Sequence, residues 1–388
     1  MATITATIPS IAHASSCDSR NLLTEEFKYT SQLSAPLTLS PSPGFLPSCG
    51  VEFLAQANQA VNSDVNELLR QGRELVDARN YQEAIAVYQK AARLDPKNAQ
   101  IYSGIAYLQA LQGNFQAAAQ FYQQAVAIEP NNADFQYGLG YSMAKLENYQ
   151  AATEAYRRAS LLDRSKTNAH LGLGASLFRL EKYSEAIIAY QVAIQSEPNN
   201  AEAYASMGLA LLRMKRFPEA IEALQQAAQL SPKNAGVQIK LGTALLATGD
   251  TRSGLAAFEW ASRLEPRNGD IQLQIAKILK AQNDLKGALD AYQRAAYANP
   301  DLVEARFAAG DILLEQKDYL DAIIMYRQVI RKSPDNADAH YKMGLALHGR
   351  QREREALKYF ETALNLFQQQ NNYEGKKKVE NAMKEIEN

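Results

Sequence analysis

The chain has 388 residues, with 41 Lys and Arg against 42 Asp and Glu, and a formal net charge of −1. That balance argues against nucleic acid as the main ligand, which calls for a basic stripe. No run of 18 apolar residues occurs, so no membrane-spanning helix is expected, and two cysteines, Cys17 and Cys49, supply neither a disulfide framework nor a zinc spacing.

Residues 1–60 are rich in Ser, Thr and Pro, including Pro36, Pro41, Pro43 and Pro47, and show no helical periodicity before about Val51. This composition predicts disorder. Both cysteines lie in the segment, and a disulfide and two free thiols stay open as alternatives. The first seventeen residues carry no acidic side chain, yet they lack the basic start of a signal peptide. Ala14-Ser15-Ser16-Cys17 resembles a lipoprotein cleavage box and Ala55-Gln56-Ala57 is a small-residue site, but no good apolar run precedes Ala55. Periplasmic and cytoplasmic locations therefore both stand.

From Val65 to Gln370 a unit of 34 residues recurs nine times without insertion or deletion. The units begin at Val65, Ala99, Ala133, Thr167, Ala201, Ala235, Gly269, Val303 and Ala337, and are called repeats 1 to 9. Seven prolines keep the beat, from Pro96 and Pro130 to Pro334, with Arg164 in one proline slot. Position 8 of every unit is Gly or Ala, and position 20 is Ala except for Gly254. Position 24 is large, as in Tyr88, Tyr122, Tyr156, Tyr190 and Phe360. Positions 4, 7, 8 and 11, and again 20, 24 and 27, fall at helical spacing, so each unit reads as two helices facing one another. Small residues let the pair approach and the large one fills the gap.

The punctuation agrees. Turns such as Gly113-Asn114 and Gly249-Asp250 separate the two helices, and proline follows the second. Asn98, Asn132, Asn200, Asn234, Asn268 and Asn336 close six units and are placed to cap the next helix. A helical hairpin cannot bury its apolar face alone, and stacking covers it. After the ninth unit, Val379, Met383 and Ile386 share one helical face that should cover the last repeat. The expected fold is all-α: a right-handed α-solenoid of nine 34-residue hairpins over residues 61–370, closed by a capping helix in 371–388.

No phosphate-binding glycine loop, G-x-S-x-G or H-E-x-x-H occurs. His170 and His340 occupy position 4, which packs within the repeat, and His340 and His348 are spaced too far apart to pair as metal ligands on one turn. The expected class is a non-catalytic protein-binding scaffold.

This pattern resembles the tetratricopeptide repeat family over residues 65–370. The resemblance implies that the first helices line a concave wall, with positions 2, 5, 6, 9, 12 and 13 facing it. It also implies what is missing: position 5 carries no Lys or Arg, so no carboxylate clamp for Hsp70 or Hsp90 tails is expected. Repeats 2 to 4 instead offer Ser103, Tyr107, Tyr137, Tyr141 and Phe178 beside Gly104, Gly138, Gly172 and Ala175, an aromatic trough for a peptide or amphipathic helix. The glycines at position 6 are expected to clear space for that ligand. Packing between neighbouring helices is the alternative role for these rings.

Repeats 7 to 9 are acidic. Glu304, Asp311 and Glu315 share one helical face, and Asp270 and Asp338 stand at the equivalent of Glu304. Such carboxylates suit a hard cation such as Mn²⁺ or Ca²⁺, or equally serve the helix dipole. Trp260 and Val192, at position 26, are expected on the outer face. The Glu-Pro-Asn-Asn endings at 129–132 and 197–200 look cyanobacterial, and nine uninterrupted units with a divergent N-terminus are similar to the processing-associated tetratricopeptide family of photosystem II biogenesis. That resemblance implies a periplasmic assembly factor that binds the D1 precursor, with a link to manganese supply. An adaptor with an unrelated regulatory client is the alternative, and the repeat arm of a glycosyltransferase-like system a third.

Overall fold

The computed structural model describes residues 63–387. The expectations of disorder, cysteine pairing and a targeting signal in residues 1–60 lie outside the described residues. These described residues form nineteen helices and no strand. They fall into two compact units, one within Gln32–Lys233 and one within Asn234–Asn388.

The first unit holds repeats 1 to 5 as hairpins. These are α1 (Ser63–Asp77) with α2 (Tyr81–Leu94), α3 (Ala99–Leu111) with α4 (Phe115–Ile128), and α5 (Ala133–Lys145) with α6 (Tyr149–Leu162). Then follow α7 (Thr167–Arg179) with α8 (Tyr183–Ser196), and α9 (Ala201–Arg213) with α10 (Phe217–Leu230). The second unit holds repeats 6 to 9: α11 (Ala235–Ala247) with α12 (Thr251–Leu264), and α13 (Gly269–Ala281) with α14 (Leu285–Ala298). They continue with α15 (Val303–Glu315) and α16 (Tyr319–Lys332), then α17 (Ala337–Gly349) and α18 (Glu353–Gln369). Last comes α19 (Tyr373–Glu387), which packs on α18 and α17 as a cap. Within each unit, consecutive hairpins stack in the α-solenoid manner.

Size complementarity holds each hairpin shut. A Cβ on Gly140 would stand 2.8 Å from the Tyr156 ring, on Gly174 2.6 Å from Tyr190, and on Gly344 2.5 Å from Phe360. The glycine at position 8 is therefore the socket for the ring at position 24 of the same repeat. Tyr156, Tyr190, Tyr326 and Phe360 are among the largest fully buried side chains, and burying each is worth about 1.5–3 kcal/mol. Position 15 turns the chain through the left-handed region in every repeat: Gly113 and Gly249 do so freely, while Arg79, Glu147, Glu181, Lys215, Asn283, Lys317 and Gln351 do so with φ between 57° and 62°. Around Glu147 the amides of Glu147 and Asn148 donate to the carbonyls of Ala144 and Met143, which closes the helix end.

Five of the six junction asparagines cap as expected. Asn132, Asn200, Asn234, Asn268 and Asn336 each accept from the first turn of the next helix. Asn98 makes no such bond. Its amide donates to Asp95 at 3.1 Å, where repeats 2, 4 and 6 offer the longer Glu129, Glu197 and Glu265. The shorter acid draws the side chain away from the helix start. The position-4 residues also have a polar task that periodicity does not show. Gln136 donates to the Pro130 carbonyl at 3.1 Å, and the His170 and His340 Nε2 atoms lie 3.2 Å from Arg164 O and 2.9 Å from Pro334 O. At these three junctions the carbonyl is thus tied down by the following helix.

Candidate protein-binding trough

In the first unit the tyrosines named from the sequence lie on the first helices of repeats 2 and 3. Tyr137 on α5 lies 5.7 Å from the Tyr156 ring at an interplanar angle of 55°. Tyr141, one turn on, meets Phe115 edge-on at 6.1 Å and carries Lys145 5.4 Å above its ring. Tyr107 on α3 is half-buried, and burial pushes its phenol up to about 12, with Tyr81 adding to the shift. Burial likewise lifts Tyr137 to about 12, with smaller contributions from Tyr141 and Glu202. Tyr107, Tyr137 and Tyr141 all act electrostatically on the buried Tyr122, so the phenols form one connected cluster.

Two of the sequence-named residues stand apart from it. The Ser103 hydroxyl donates back to the Gln100 carbonyl at 2.9 Å within its own helix. Phe178 packs edge-on against Tyr183 at 5.2 Å, at the turn end of repeat 4, with Arg213 6.0 Å over its face.

The position-6 glycines have a different purpose from the one expected. A Cβ on Gly138 would lie 2.3 Å from Cζ of Tyr122, and one on Gly172 2.5 Å from Cζ of Tyr156. The space these glycines leave is filled by the tyrosine of the preceding repeat, not left open for a ligand. Gly104 alone of the three matches the expectation, since nothing lies within 4 Å of its added Cβ. Tyr156 is thereby clasped between Gly140 of its own repeat and Gly172 of the next. Its hydroxyl is buried with no hydrogen-bond partner, and burial raises its pKa well above the usual phenol value.

Charged side chains flank these rings. At position 2 stand Asp134 and Glu202. Lys166 Nζ meets Asp134 at 2.5 Å and lies 6.0 Å from the Tyr137 ring centroid. At position 13 stand Lys145, Arg179 and Arg213, with Arg179 4.8 Å over Tyr149. Three successive cations at the 34-residue interval were visible in the sequence as a periodic signal.

In the second unit the five acids do not converge. Glu304 is met by Lys277 at 2.7 Å. Asp311 accepts from Lys342 at 2.6 Å and from the Tyr326 hydroxyl at 2.8 Å, and Lys342 sits 4.5 Å over the Phe307 ring. Asp270 heads α13, with its backbone amide bound by the Asn268 side chain. Among the described residues no group of three or more His, Cys, Asp or Glu side chains is arranged to hold a metal ion, so Asp270, Glu304, Asp311, Glu315 and Asp338 are not brought together as one site. Lysines from neighbouring helices meet Glu304 and Asp311 instead. Trp260 is partly exposed with Arg263 5.0 Å over its ring. No described helix is long and apolar enough to cross a membrane.

Stacked helical hairpins define a helical-repeat scaffold of the kind that binds other proteins. Family models described as tetratricopeptide repeat match residues 69–134, 171–235 and 239–303, half of the chain, and further ones match 310–350 and 337–370. The chain belongs to the tetratricopeptide repeat family. A model described as anaphase-promoting complex, cyclosome, subunit 3 matches residues 112–193. Among curated proteins none matches. Of solved structures, the C-terminal part of a TPR repeat-containing protein from Cytophaga hutchinsonii is 18% identical, covers 61% of this chain and 98% of its own, and has a TM-score of 0.55. YrrB, described as a TPR protein with an unusual peptide-binding site, aligns at 23% identity over 50% of this chain and 98% of its own, TM-score 0.44. PilF of Pseudomonas aeruginosa aligns at 24% over 52% and 92%, TM-score 0.45.

Proposed function

We propose that the chain is a binding scaffold that seats a peptide segment of a client protein in the trough of repeats 2 to 5. The observation that carries this reading is the cluster of Tyr107, Tyr137 and Tyr141, which lines first helices and remains partly solvent-accessible while its neighbours Tyr122 and Tyr156 are buried. Aromatic side chains offer large contact area at low entropic cost. The test is capture of clients from a cell extract by the wild-type chain and by Tyr107→Ala with Tyr141→Ala. Loss of the captured proteins from the double variant supports the trough; unchanged capture removes it.

The finer reading is an assembly factor for a photosynthetic membrane complex, with the D1 precursor as client. It is supported by the nine-unit layout and by a trough suited to an extended segment, and it implies work at the membrane surface. Capture from photosynthetic membranes separates it from a cytoplasmic adaptor: photosystem subunits support it, and soluble regulators alone replace it.

A further inference from the structure

Position 13 is cationic in three successive repeats and in no others. Lys145, Arg179 and Arg213 close α5, α7 and α9, where the other repeats have Asp77, Leu111, Ala247, Ala281, Glu315 and Gly349. Each of the three lies over a ring: Lys145 is 5.4 Å from the Tyr141 centroid, Arg179 4.8 Å from Tyr149 and Arg213 6.0 Å from Phe178. Tyr149 and Phe178 belong to the repeat before, so the cations form a ladder that ties repeats 3, 4 and 5 together. A cation in the last turn also suits the helix dipole, and that attraction leaves the outer side of the charge unused.

Lys145 and Arg179 are exposed, and neither ion-pairs with a carboxylate among the described residues. Acids stand close by in sequence. Glu147 and Glu181 follow two residues later, in the left-handed turns, and pair with neither cation. Glu185 is taken by Arg157 at 3.2 Å, and Glu219 by Arg216. The rings thus steady the cations without neutralising them. The helices α5, α7 and α9 are neighbours in the stack, and packed helices stand about 8–10 Å apart. A peptide in polyproline-II form repeats its face every three residues, about 9 Å along its axis. Acids at every third position would therefore meet one cation after another.

We propose that Lys145, Arg179 and Arg213 bind an acidic stretch of the client segment, extended across the C-terminal ends of α5, α7 and α9 with Asp or Glu at every third residue. Charge complementarity selects the occupant, and the ring beneath each cation holds it ready for a carboxylate. Lys145 rests on Tyr141, so the acidic stretch runs along one edge of the aromatic trough, and the inference rests on the trough reading above. The balanced charge of the chain and the acids Glu147 and Glu181 between the rungs disfavour nucleic acid.

The test uses the full chain and a fluorescein-labelled peptide of four Glu-Pro-Leu units, with Gln-Pro-Leu as its neutral counterpart, read by fluorescence polarisation. The acidic peptide should bind about tenfold tighter at low salt, and the difference should shrink as salt rises. Lys145→Gln with Arg179→Gln should abolish the preference, and Lys145→Glu with Arg179→Glu should reverse it. Lys182→Gln with Lys215→Gln removes the same charge from the same turns, at exposed lysines off the ladder, and should keep it. Equal binding of both peptides, or a preference that responds alike to the ladder and control variants, overturns the ladder while leaving the trough standing. Tighter binding of a twelve-nucleotide oligothymidylate, lost in the ladder variants, overturns the acidic client in favour of nucleic acid. Peptide binding that is indifferent to Tyr107→Ala with Tyr141→Ala overturns the trough and the ladder's place beside it together.

Discussion

Tyr156 and Gly172 belong to different repeats and occupy one volume: a side chain on Gly172 would begin 2.5 Å from the ring carbon that bears the tyrosine hydroxyl. A contact under 3 Å has to be relieved by moving the ring, and this ring is fully buried.

Gly172→Ala and Gly138→Ala should therefore each destabilise the first unit by about 1–3 kcal/mol through overpacking. Gly104→Ala, whose new methyl meets nothing within 4 Å, should be neutral or stabilise by about 1 kcal/mol through helix propensity. Urea unfolding followed by circular dichroism separates the two outcomes. Equal costs at all three positions would show that the clasp is not what selects glycine.

Asp311 joins Tyr326 to Lys342, and its side chain is 18% exposed against 26% for the lysine. Asp311→Ala leaves a buried hydroxyl and an unpaired lysine, at a cost of about 1–3 kcal/mol once partial solvation is allowed for. Combined with Tyr326→Phe the costs should fall short of their sum, because both remove the same hydrogen bond. Full additivity in a double-mutant cycle would contradict the coupling.

Alkaline unfolding follows from the phenols. Tyr88, Tyr107 and Tyr137 are each pushed up to about 12, chiefly by burial, from an ordinary value of 10.0. A group whose folded pKa is raised keeps its protonated form in the native state. Its contribution to stability is complete below pH about 10, where the unfolded phenol is also protonated, and is lost as the pH rises to about 12. Phenolate absorbance should accordingly lag far behind that of the unfolded chain in this window and then rise together with loss of helix. Ordinary titration of all tyrosines near pH 10 would refute it.

The left-handed turns offer stabilising changes. Glu147→Gly and Lys215→Gly remove a side chain from φ of 59° and 57°, relieving about 1 kcal/mol each. A raised thermal midpoint with unchanged peptide binding is the expected result. A lowered midpoint would mean that these side chains stabilise the turn in some other way.

The hairpin and its partnership of positions 8 and 24 are legible from the sequence because both lie in one repeat, where the period fixes their spacing. What crosses between repeats is not. Gly138 and Gly172 read as room for a ligand because a repeat taken alone does not reveal the tyrosine arriving from its neighbour. The acids of repeats 7 to 9 share a face in sequence, yet the lysines that meet Glu304 and Asp311 are set by how the neighbouring helices pack. The buried position of His170 and His340 follows from the repeat period, but the carbonyls they bind appear only once the junction has a backbone path.

The double clasp on Tyr156 also limits how this protein can be rearranged by recombination. Joining repeat 3 directly to repeat 5 would set the tyrosine against Ser206, which holds the Gly172 slot there. Repeat 4 already presents its own buried Tyr190 to that serine, so the ring would have to settle as Tyr190 does, and module exchange in this stretch turns on that one readjustment.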